Sequence, residues 1–465
     1  MRLDLPALAS PLRLALALGL TLVGFAAPAA AAPTPAEVGA AEADDLLGDL
    51  IVAASKRPTP ALRLPKVGVE APAEGALAGA LAALVRRDLE LSFEVDLVAA
   101  PAIAAAVADG GADEGAAATS AGFVDRWRGA GAEFVVRTSA EVSDAQTVLS
   151  VALVDLTEGD VPVFKRSISG GPELRARDVG HRLVDALLGA LTGYSGPFAS
   201  ELAFVRTRGG ERQIVTIDAD GEGLRARSPA EQLALSPAFG PGHVLYWAAS
   251  VDRGRYNLYR DGDPEPLRLE GAPRGSIYGV AFSEDRTKLA LSLAADGGVR
   301  VYVGGVAEAP ARAVEVRPLG ASRDLALALH PVFTPRGGVA FAGSIGRRQR
   351  IYVDGRPASP RELSAAAPTL CRHPEGTRLV YAVVHGEREV LAVSDERGRE
   401  APHILRGGKR RSYPACSPDG RLVAFFSTGE GSAGPGLYLM RVDGRRPPRK
   451  IADATGDSLR WARIP

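Results

Sequence analysis

Cysteine, paired histidine and long apolar runs are scarce in this 465-residue chain, which has two cysteines and six histidines. The histidines form no H-x-x-x-H or H-x-H pair, so the sequence predicts no His-based transition-metal site. No G-x-S-x-G elbow occurs, which argues against an α/β-hydrolase-type peptidase. Beyond the N-terminus no apolar run reaches the roughly 20 residues that a helix needs to span a bilayer. The sequence therefore predicts no catalytic residue, no cofactor and no embedded segment.

The formal net charge of zero hides an asymmetry between the two parts of the chain. Residues 1–196 contain 16 Lys and Arg against 25 Asp and Glu, and residues 197–465 contain 39 against 30. The basic clusters of the second part lie in turns and are not interleaved with aromatic residues, so nucleic-acid binding is not predicted. An acidic protein partner is the favoured use of the positive charge.

The first 32 residues are typical of an export signal. Arg2 and Arg13 precede an apolar run from Leu14 to Ala27, and the alanines that follow offer A-x-A cleavage near Ala31 or Ala32. No cysteine stands near the cleavage site, so a lipoprotein anchor is not expected. We predict an exported chain whose mature form begins with a flexible segment, residues 33–60.

A six-fold repeat with a spacing of about 44 residues dominates the second part of the chain. Each repeat has an anchor residue followed by a turn rich in Pro and Gly, and anchor-to-anchor spacings are 43, 51, 38, 45 and 45 residues. The anchors are Phe239, Phe282, Phe333, Cys371, Cys416 and Trp461. Short β-rich runs follow each turn, and a period of 40–50 residues built only from such runs is typical of a β-propeller.

The two ends of this array complement each other. The runs at 202–205 and 213–217 are strands of a blade that lacks its first strand, and Ser458–Trp461 is a first strand without followers. Pairing them closes the ring and removes two unpaired sheet edges. The sequence thus predicts a six-bladed propeller over residues 196–465, closed by the C-terminal strand around a buried Trp461.

The two cysteines, Cys371 and Cys416, take equivalent anchor positions in neighbouring blades under this alignment. Equivalent positions of adjacent blades are expected roughly 8–10 Å apart, which exceeds the Cα separation that a disulfide allows. We therefore predict two buried free thiols.

Residues 61–195 have the alternation of an α/β domain. Strands are predicted at 66–69, 93–98, 133–140, 148–155 and 164–169, and helices at 74–91, 119–129 and 178–191. His181 lies in the last helix and is expected at a domain interface. A G-x-G-x-x-G match at Gly429–Gly434 falls between two strands, so it is predicted to be a hairpin loop rather than a nucleotide site.

The order of export signal, α/β domain and six-bladed propeller closely resembles the TolB family, periplasmic components of the Tol–Pal envelope system with PD40-type, WD40-like repeats. The matching segments are Leu156–Ser169, Leu174–Gly193, Gly196–Val205 and Ser458–Trp461, and the turn Ser417–Gly420 has the family's pattern. The resemblance implies a periplasmic, monomeric, non-enzymatic scaffold. Its implied partners are a Pal-like outer-membrane lipoprotein and an inner-membrane Tol component, with no nucleic acid.

The predicted partner surface is the channel mouth formed by the loops that lead into each innermost strand. Its residues are Ser276, Ile277, Tyr278, Gly279, Leu329, His330, Pro331, Arg411 and Tyr413. The alternative is a propeller hydrolase or lyase acting on a saccharide or small molecule in the channel, which predicts clustered carboxylates or a metal there. Acidic channel residues could also bind Ca²⁺, although the sequence does not identify them.

Overall fold

The computed structural model describes residues 63–70, 72, 75–101, 120–306, 312–346, 348–385, 388–405, 408 and 410–465. The predicted export signal and the predicted N-terminal segment 33–60 lie outside these residues. Within the described part, no helix has the length and apolar character needed to cross a membrane. The predicted domain limits at 61, 195 and 196 stay predictions.

The α/β domain comes first. Its elements are β1 Lys66–Val69, α1 Ala76–Ser92, β2 Asp96–Val98, α2 Ser120–Gly129, β3 Phe134–Val142, β4 Thr147–Asp155, β5 Pro162–Gly170 and α3 Ala176–Thr192. The sheet has the order β2-β1-β3-β4-β5, in which β1 runs parallel to both neighbours and the other pairs are antiparallel. This architecture matches the predicted α/β domain.

Apolar periodicity and capping fix the helices of this domain. On α1, Leu81, Val85 and Leu89 are buried at helical spacing. Helix α3 starts two residues before its predicted start at Asp178, whose carboxylate accepts the backbone N–H of Arg175 at 3.0 Å. The predicted strand at 93–98 is shorter, because Phe93 adopts a left-handed conformation at the end of α1.

The propeller consists of six sheets, which are antiparallel except for one parallel pair between Arg268–Glu270 and Ala313–Pro318. Its first strands are β6 Ser200–Arg208, β7 Glu211–Asp218, β8 Arg225–Ala226, β9 Leu233–Phe239, β10 Leu245–Ser250, β11 Asn257–Arg260, β12 Arg268–Glu270, β13 Ser276–Phe282, β14 Lys288–Ala295, β15 Gly298–Gly305 and β16 Ala313–Pro318. The remaining strands are β17 Leu327–Phe333, β18 Val339–Ile345, β19 Arg348–Val353, β20 Arg356–Pro357, β21 Ser364–His373, β22 Gly376–His385, β23 Arg388–Asp395, β24 His403–Ile404, β25 Arg411–Cys416, β26 Leu422–Ser427, β27 Gly436–Arg441, β28 Arg449–Ala452 and β29 Asp457–Arg463. The six-bladed prediction is confirmed, and residues 429–434 form the predicted hairpin loop between β26 and β27.

The C-terminal strand closes the ring as predicted. Strand β29 is the innermost strand of the blade that contains β6, β7 and β8, and it pairs antiparallel with β6, placing Trp461 opposite Leu202. Trp461 is only partly buried, and its indole N–H donates a hydrogen bond to Ser200 Oγ at 2.6 Å. The fully buried residue of this strand is Leu459. Trp461 packs against the buried cluster that contains Leu459 and also borders the channel cavity, so the leucine is the fully buried core residue of this strand.

The six innermost strands β9, β13, β17, β21, β25 and β29 all carry a β-bulge near their midpoint. In five of them the first bulge residue has a φ between 47° and 56°; these residues are Ser236, His330, Ala367, Tyr413 and Ser458. Four of the five precede a proline, which has no N–H to donate and is tolerated where the ladder is interrupted. The X-Pro pairs of the repeat thus mark the bulges.

The prediction of two free thiols is wrong, since Cys371 and Cys416 form a disulfide with a Cα–Cα distance of 5.0 Å. Counted from the bulges, Cys416 is equivalent to Leu370, so Cys371 lies one residue further along its strand. Innermost strands of neighbouring blades converge on the axis, and the one-residue offset brings the two side chains together across β21 and β25. The assumed equivalence of the cysteines caused the error.

A shared core and a set of ion pairs join the two domains. One cluster of buried apolar residues includes Leu183 of α3, Phe204 of β6 and Leu439 of β27. The Asp185 carboxylate accepts the backbone N–H groups of Phe198 and Ala199 at 2.8 and 2.9 Å, which ties α3 to the first blade. The α/β domain is therefore packed against the blades at both ends of the propeller sequence.

Candidate binding surfaces of the propeller channel

The central channel has two distinct mouths. The innermost strands contact each other around the ring and begin at one end, which we call the loop mouth, near Ser276, Leu327 and Arg411. They end at the other, the turn mouth, where tight turns such as Ser417–Gly420 follow. The bulged residues lie between the mouths, so they divide the channel into two halves.

Three predicted partner residues sit at bulges of the channel wall and are partly exposed. Tyr278 is the bulge residue of β13, and the rings of His330 and Tyr413 meet edge to face with centroids 6.2 Å apart. Burial lowers the pKa of His330 to about 4, with the Arg460 charge as a smaller cause, so the imidazole is neutral at pH 7. Burial also raises the pKa of Tyr413. The structure thus brings an uncharged aromatic group into the channel.

The other residues of the predicted surface divide by exposure. Ser276 and Leu329 are partly exposed, whereas Ile277, Gly279 and Pro331 are buried. A Cβ on Gly279 would lie 2.7 Å from Pro331 Cδ, so only glycine fits at this contact between neighbouring blades. These buried residues shape the channel wall and present no side chain to a partner.

Arg411 needs a correction, because it is completely buried. Its guanidinium makes two hydrogen bonds of 2.6 Å to the Glu430 carboxylate and one of 3.0 Å to the carbonyl of Leu405. It also lies over the ring of Phe425 at 5.1 Å. Arg411 therefore stabilises its own blade and has no surface left for a partner.

The turn mouth opens into a cavity of about 340 Å³ lined by the second halves of all six innermost strands. Its charged lining residues are Arg286, Arg372, Arg460, Arg463 and Glu284. Among the residues predicted for the partner surface, Pro331 alone contributes to this lining. The cavity is thus a separate feature from the predicted surface at the loop mouth.

A polar network at the domain interface contains the only group of residues, within the described part, whose geometry could hold a metal ion: His181, Asp218 and Asp220. The Arg177 guanidinium stands among them, 3.1 Å from His181 Nε2, 3.1 Å from Asp218 Oδ2 and 2.8 Å from Asp220 Oδ2. An arginine thus supplies the cation that these acceptors require. His181 is at the interface, as predicted.

The same network continues into the α/β domain through Asp88, whose Oδ2 lies 2.6 Å from His181 Nδ1. Burial raises the pKa of Asp88 to about 6, while His181 opposes that shift. Burial is the largest single effect on the pKa of His181 and lowers it, but the charge and hydrogen bond of Asp88, together with the Asp220 charge, raise this pKa by more. Burial also raises the pKa of Asp185 to about 6. Three titrating groups therefore lie where the domains meet.

Sequence reasoning missed the turn-mouth cavity and Arg460. Aligning the repeats on their bulges places Arg460 in a layer with equivalent residues of the other five blades. These are Ala238, Val280, Val332, Thr369 and Ala415. Arg460 also stands one position before its anchor, where the other repeats have an apolar residue, so the alignment on the anchors already contained this signal.

Comparison with known proteins gives partial sequence matches and a broad fold match. No protein-family model matches the chain. The Tol-Pal system protein TolB of Geobacter metallireducens is 33% identical over 115 residues, which is 25% of this chain and 26% of that protein. The protein of the same name from Geobacter sulfurreducens is 27% identical over 168 residues, 36% of this chain and 37% of that protein. The matches thus span between 26% and 37% of these relatives' length.

The structural match is more extensive. The crystal structure of TolB from Acinetobacter baumannii superposes with a TM-score of 0.64, covering 86% of this chain and 97% of that chain. At 20% identity this likeness shows the fold alone. The chain is similar to TolB in sequence over part of its length and in fold over most of it. It is a divergent TolB-like protein.

Proposed function

We propose that this protein is a non-enzymatic periplasmic scaffold of a Tol–Pal-type envelope system. In this role it binds a Pal-like lipoprotein at the loop mouth of its propeller. The observation that carries the proposal is the agreement of two likenesses, the sequence matches to Tol-Pal system TolB proteins and the TolB fold. An inner-membrane Tol component is the second proposed partner.

The position of the α/β domain supports the loop mouth as the partner surface. This domain and its linker contact the turn side, where Tyr194 packs on His373 with ring centroids 4.8 Å apart. On the same side Arg441 pairs with Glu94 at 2.6 Å. Such contacts leave the loop mouth facing away from the first domain, where a partner can approach a rigid ring.

The side chains at the loop mouth suit protein recognition. The accessible members of the predicted surface are Ser276, Tyr278, Leu329, His330 and Tyr413. Two tyrosines, a neutral imidazole and a leucine supply rigid, largely apolar contact area of the kind that dominates interface energetics. The competing enzyme hypothesis requires clustered carboxylates in the channel. The acidic lining residue of the cavity is Glu284, which pairs with Arg372 at 2.6 Å.

The test is a variant that removes the accessible aromatic groups while it respects the backbone. Tyr278→Ala is combined with His330→Asn and Tyr413→Asn, because asparagine tolerates the left-handed conformation of the last two positions. Binding to a Pal-like lipoprotein produced without its lipid anchor is measured by calorimetry. We expect a dissociation constant about 30-fold higher or more, since hot-spot truncations cost about 2 kcal/mol or more.

Leu224→Ala is the matched control, because Leu224 is 43% exposed and follows β7 on the turn side. Its dissociation constant should equal that of the unmodified protein. The proposal fails if the triple variant, folded by circular dichroism, binds the lipoprotein as tightly as the unmodified protein does.

A further inference from the structure

The lining of the turn-mouth cavity carries an excess of positive charge. Four arginines face one acidic residue, Glu284, which gives a net formal charge of +3. The Glu284 side chain is 73% exposed and forms an ion pair with Arg372 at 2.6 Å. Its negative charge is therefore largely solvated and is paired with that arginine. The inner wall of the cavity therefore has no anion of its own to balance its cations.

Arg460 is the least compensated of these cations. It replaces a small residue in the layer that the other five blades fill with Ala, Val or Thr. Its Nη1 donates to the carbonyl of Leu459 at 3.0 Å, and no carboxylate of the described chain forms an ion pair with it. Burial lowers the pKa of Arg460 to about 10. A guanidinium held in this way has several donors left for an incoming acceptor.

The neighbouring arginines already have acceptors in the protein. Arg286 donates to the carbonyl of Phe239, Arg372 donates to Glu284 and to the carbonyl of Phe333, and Arg463 donates to the carbonyl of Gly196. Arg286 and Arg463, like Arg460, donate to a single carbonyl, but the charge of Glu284 opposes the burial that lowers the pKa of Arg286, and the charge of Arg463 opposes the burial that raises the pKa of Asp185. No carboxylate offsets the burial that lowers the pKa of Arg460. A guanidinium fork with two parallel donors matches a planar carboxylate in bidentate geometry. It can hold a phosphate in the same way, so phosphate is the competing anion.

We propose that the turn-mouth cavity is a binding site for a carboxylate group, which Arg460 grips in a bidentate manner. A cavity of about 340 Å³ accommodates a small carboxylic acid or one acidic side chain of a peptide. The site lies on the turn side of the bulges and the proposed lipoprotein surface lies on the loop side, although the charge of Arg460 reaches His330 and lowers its pKa further than burial does alone. Its existence therefore does not depend on that proposal.

The experiment is calorimetric titration of the mature protein at constant ionic strength. The three probes are succinate, the capped dipeptide acetyl-Asp-Glu-amide and inorganic phosphate. Arg460→Met removes the charge and keeps an unbranched side chain, and Arg268→Met on the exposed strand β12 is the matched control. We expect at least one carboxylate probe to bind at millimolar concentrations. Its affinity should fall about 10-fold or more in Arg460→Met and stay unchanged in Arg268→Met.

The outcomes separate the sources of the carboxylate. Tighter binding of succinate identifies a free acid as the ligand, and tighter binding of the dipeptide identifies an acidic peptide. Without ligand, Arg460→Met should melt at a higher temperature than the unmodified protein, because a partly buried, uncompensated charge is removed. Should this variant not fold, Arg460→Lys, which keeps the charge but loses the bidentate geometry, is expected to bind more weakly.

Three results would overturn the proposal. They are no binding of either carboxylate, binding of phosphate alone, and equal carboxylate affinity in the Arg460 variants and the unmodified protein. Because the lipoprotein assay uses variants at the other mouth, a failure here is distinguishable from a failure of the proposed scaffold function.

Discussion

Replacing Arg411 tests whether this residue stabilises the last blade or contacts a partner. The guanidinium is completely buried and makes a two-pronged ion pair with Glu430, which is 8% exposed. Arg411→Met leaves the Glu430 carboxylate in the protein without its cation. Breaking a buried pair from one side costs about 3–5 kcal/mol, because the remaining charge keeps its desolvation penalty. We expect a loss of this size in the free energy of unfolding.

Urea unfolding followed by tryptophan fluorescence measures this loss. The neighbouring Arg410→Met is the matched control, since the Arg410 side chain is 62% exposed and its pair with Glu389 spans 3.4 Å. Exposed pairs of this kind contribute about 0–1 kcal/mol. The double variant Arg411→Met, Glu430→Gln should be less destabilised than Arg411→Met alone, because it removes the orphaned charge. Unchanged stability of Arg411→Met together with weaker lipoprotein binding would refute the reasoning and restore Arg411 to the partner surface.

Three further predictions concern stability. Deleting Ser458–Pro465 should lower the free energy of unfolding by more than a single Leu→Ala truncation does, which is about 2–5 kcal/mol, because the deletion removes a whole inner strand with a buried leucine. An unchanged melting temperature would contradict ring closure. Replacing Cys371 and Cys416 by alanine should lower the free energy of unfolding in urea by about 4 kcal/mol, because the disulfide closes a loop of 45 residues. Equal stability of the double variant and the unmodified protein would show that the disulfide is not formed. The folded pKa of Asp88 is raised from 3.8 to about 6, so the folded state holds a proton that the unfolded chain releases, and stability falls as pH rises through that window. The raised pKa of His181 adds a loss above its ordinary value of 6.5. Wild-type stability relative to Asp88→Asn should therefore decline as pH rises from about 4 through 6 and beyond 6.5, and a flat difference would contradict the assignment.

The repeat pattern was sufficient to predict the blades and their closure. The predicted anchors Phe282 and Phe333 are the last residues of the inner strands β13 and β17. Such accuracy is expected, because alternation and turn residues are local signals. The offset of Cys371 was not predictable from turn spacing, because β21 runs on to His373 and ends in a two-residue turn that shifts the anchor by one position.

The functional features of the interior were harder to predict, because they depend on contacts between distant residues. Asp88 and His181 are 93 positions apart and meet only after α1 packs on α3. The burial of Arg411 depends on Glu430 in a hairpin loop that carries no pattern pairing it with the inner strand. The sequence predicted which strands line the channel. It did not predict which charged side chains would be buried and paired with an opposite charge.

Hydrogen exchange of the mature protein with and without a Pal-like lipoprotein, produced without its lipid anchor, tests the central claim most directly. Slowed exchange should appear in peptides covering 276–279, 329–331 and 412–413, where the innermost strands pass the loop mouth. Peptides covering the turns at 283–287 and 417–420 should exchange at unchanged rates. Binding of the lipoprotein with protection confined to those turns, or no binding at all, would contradict the account.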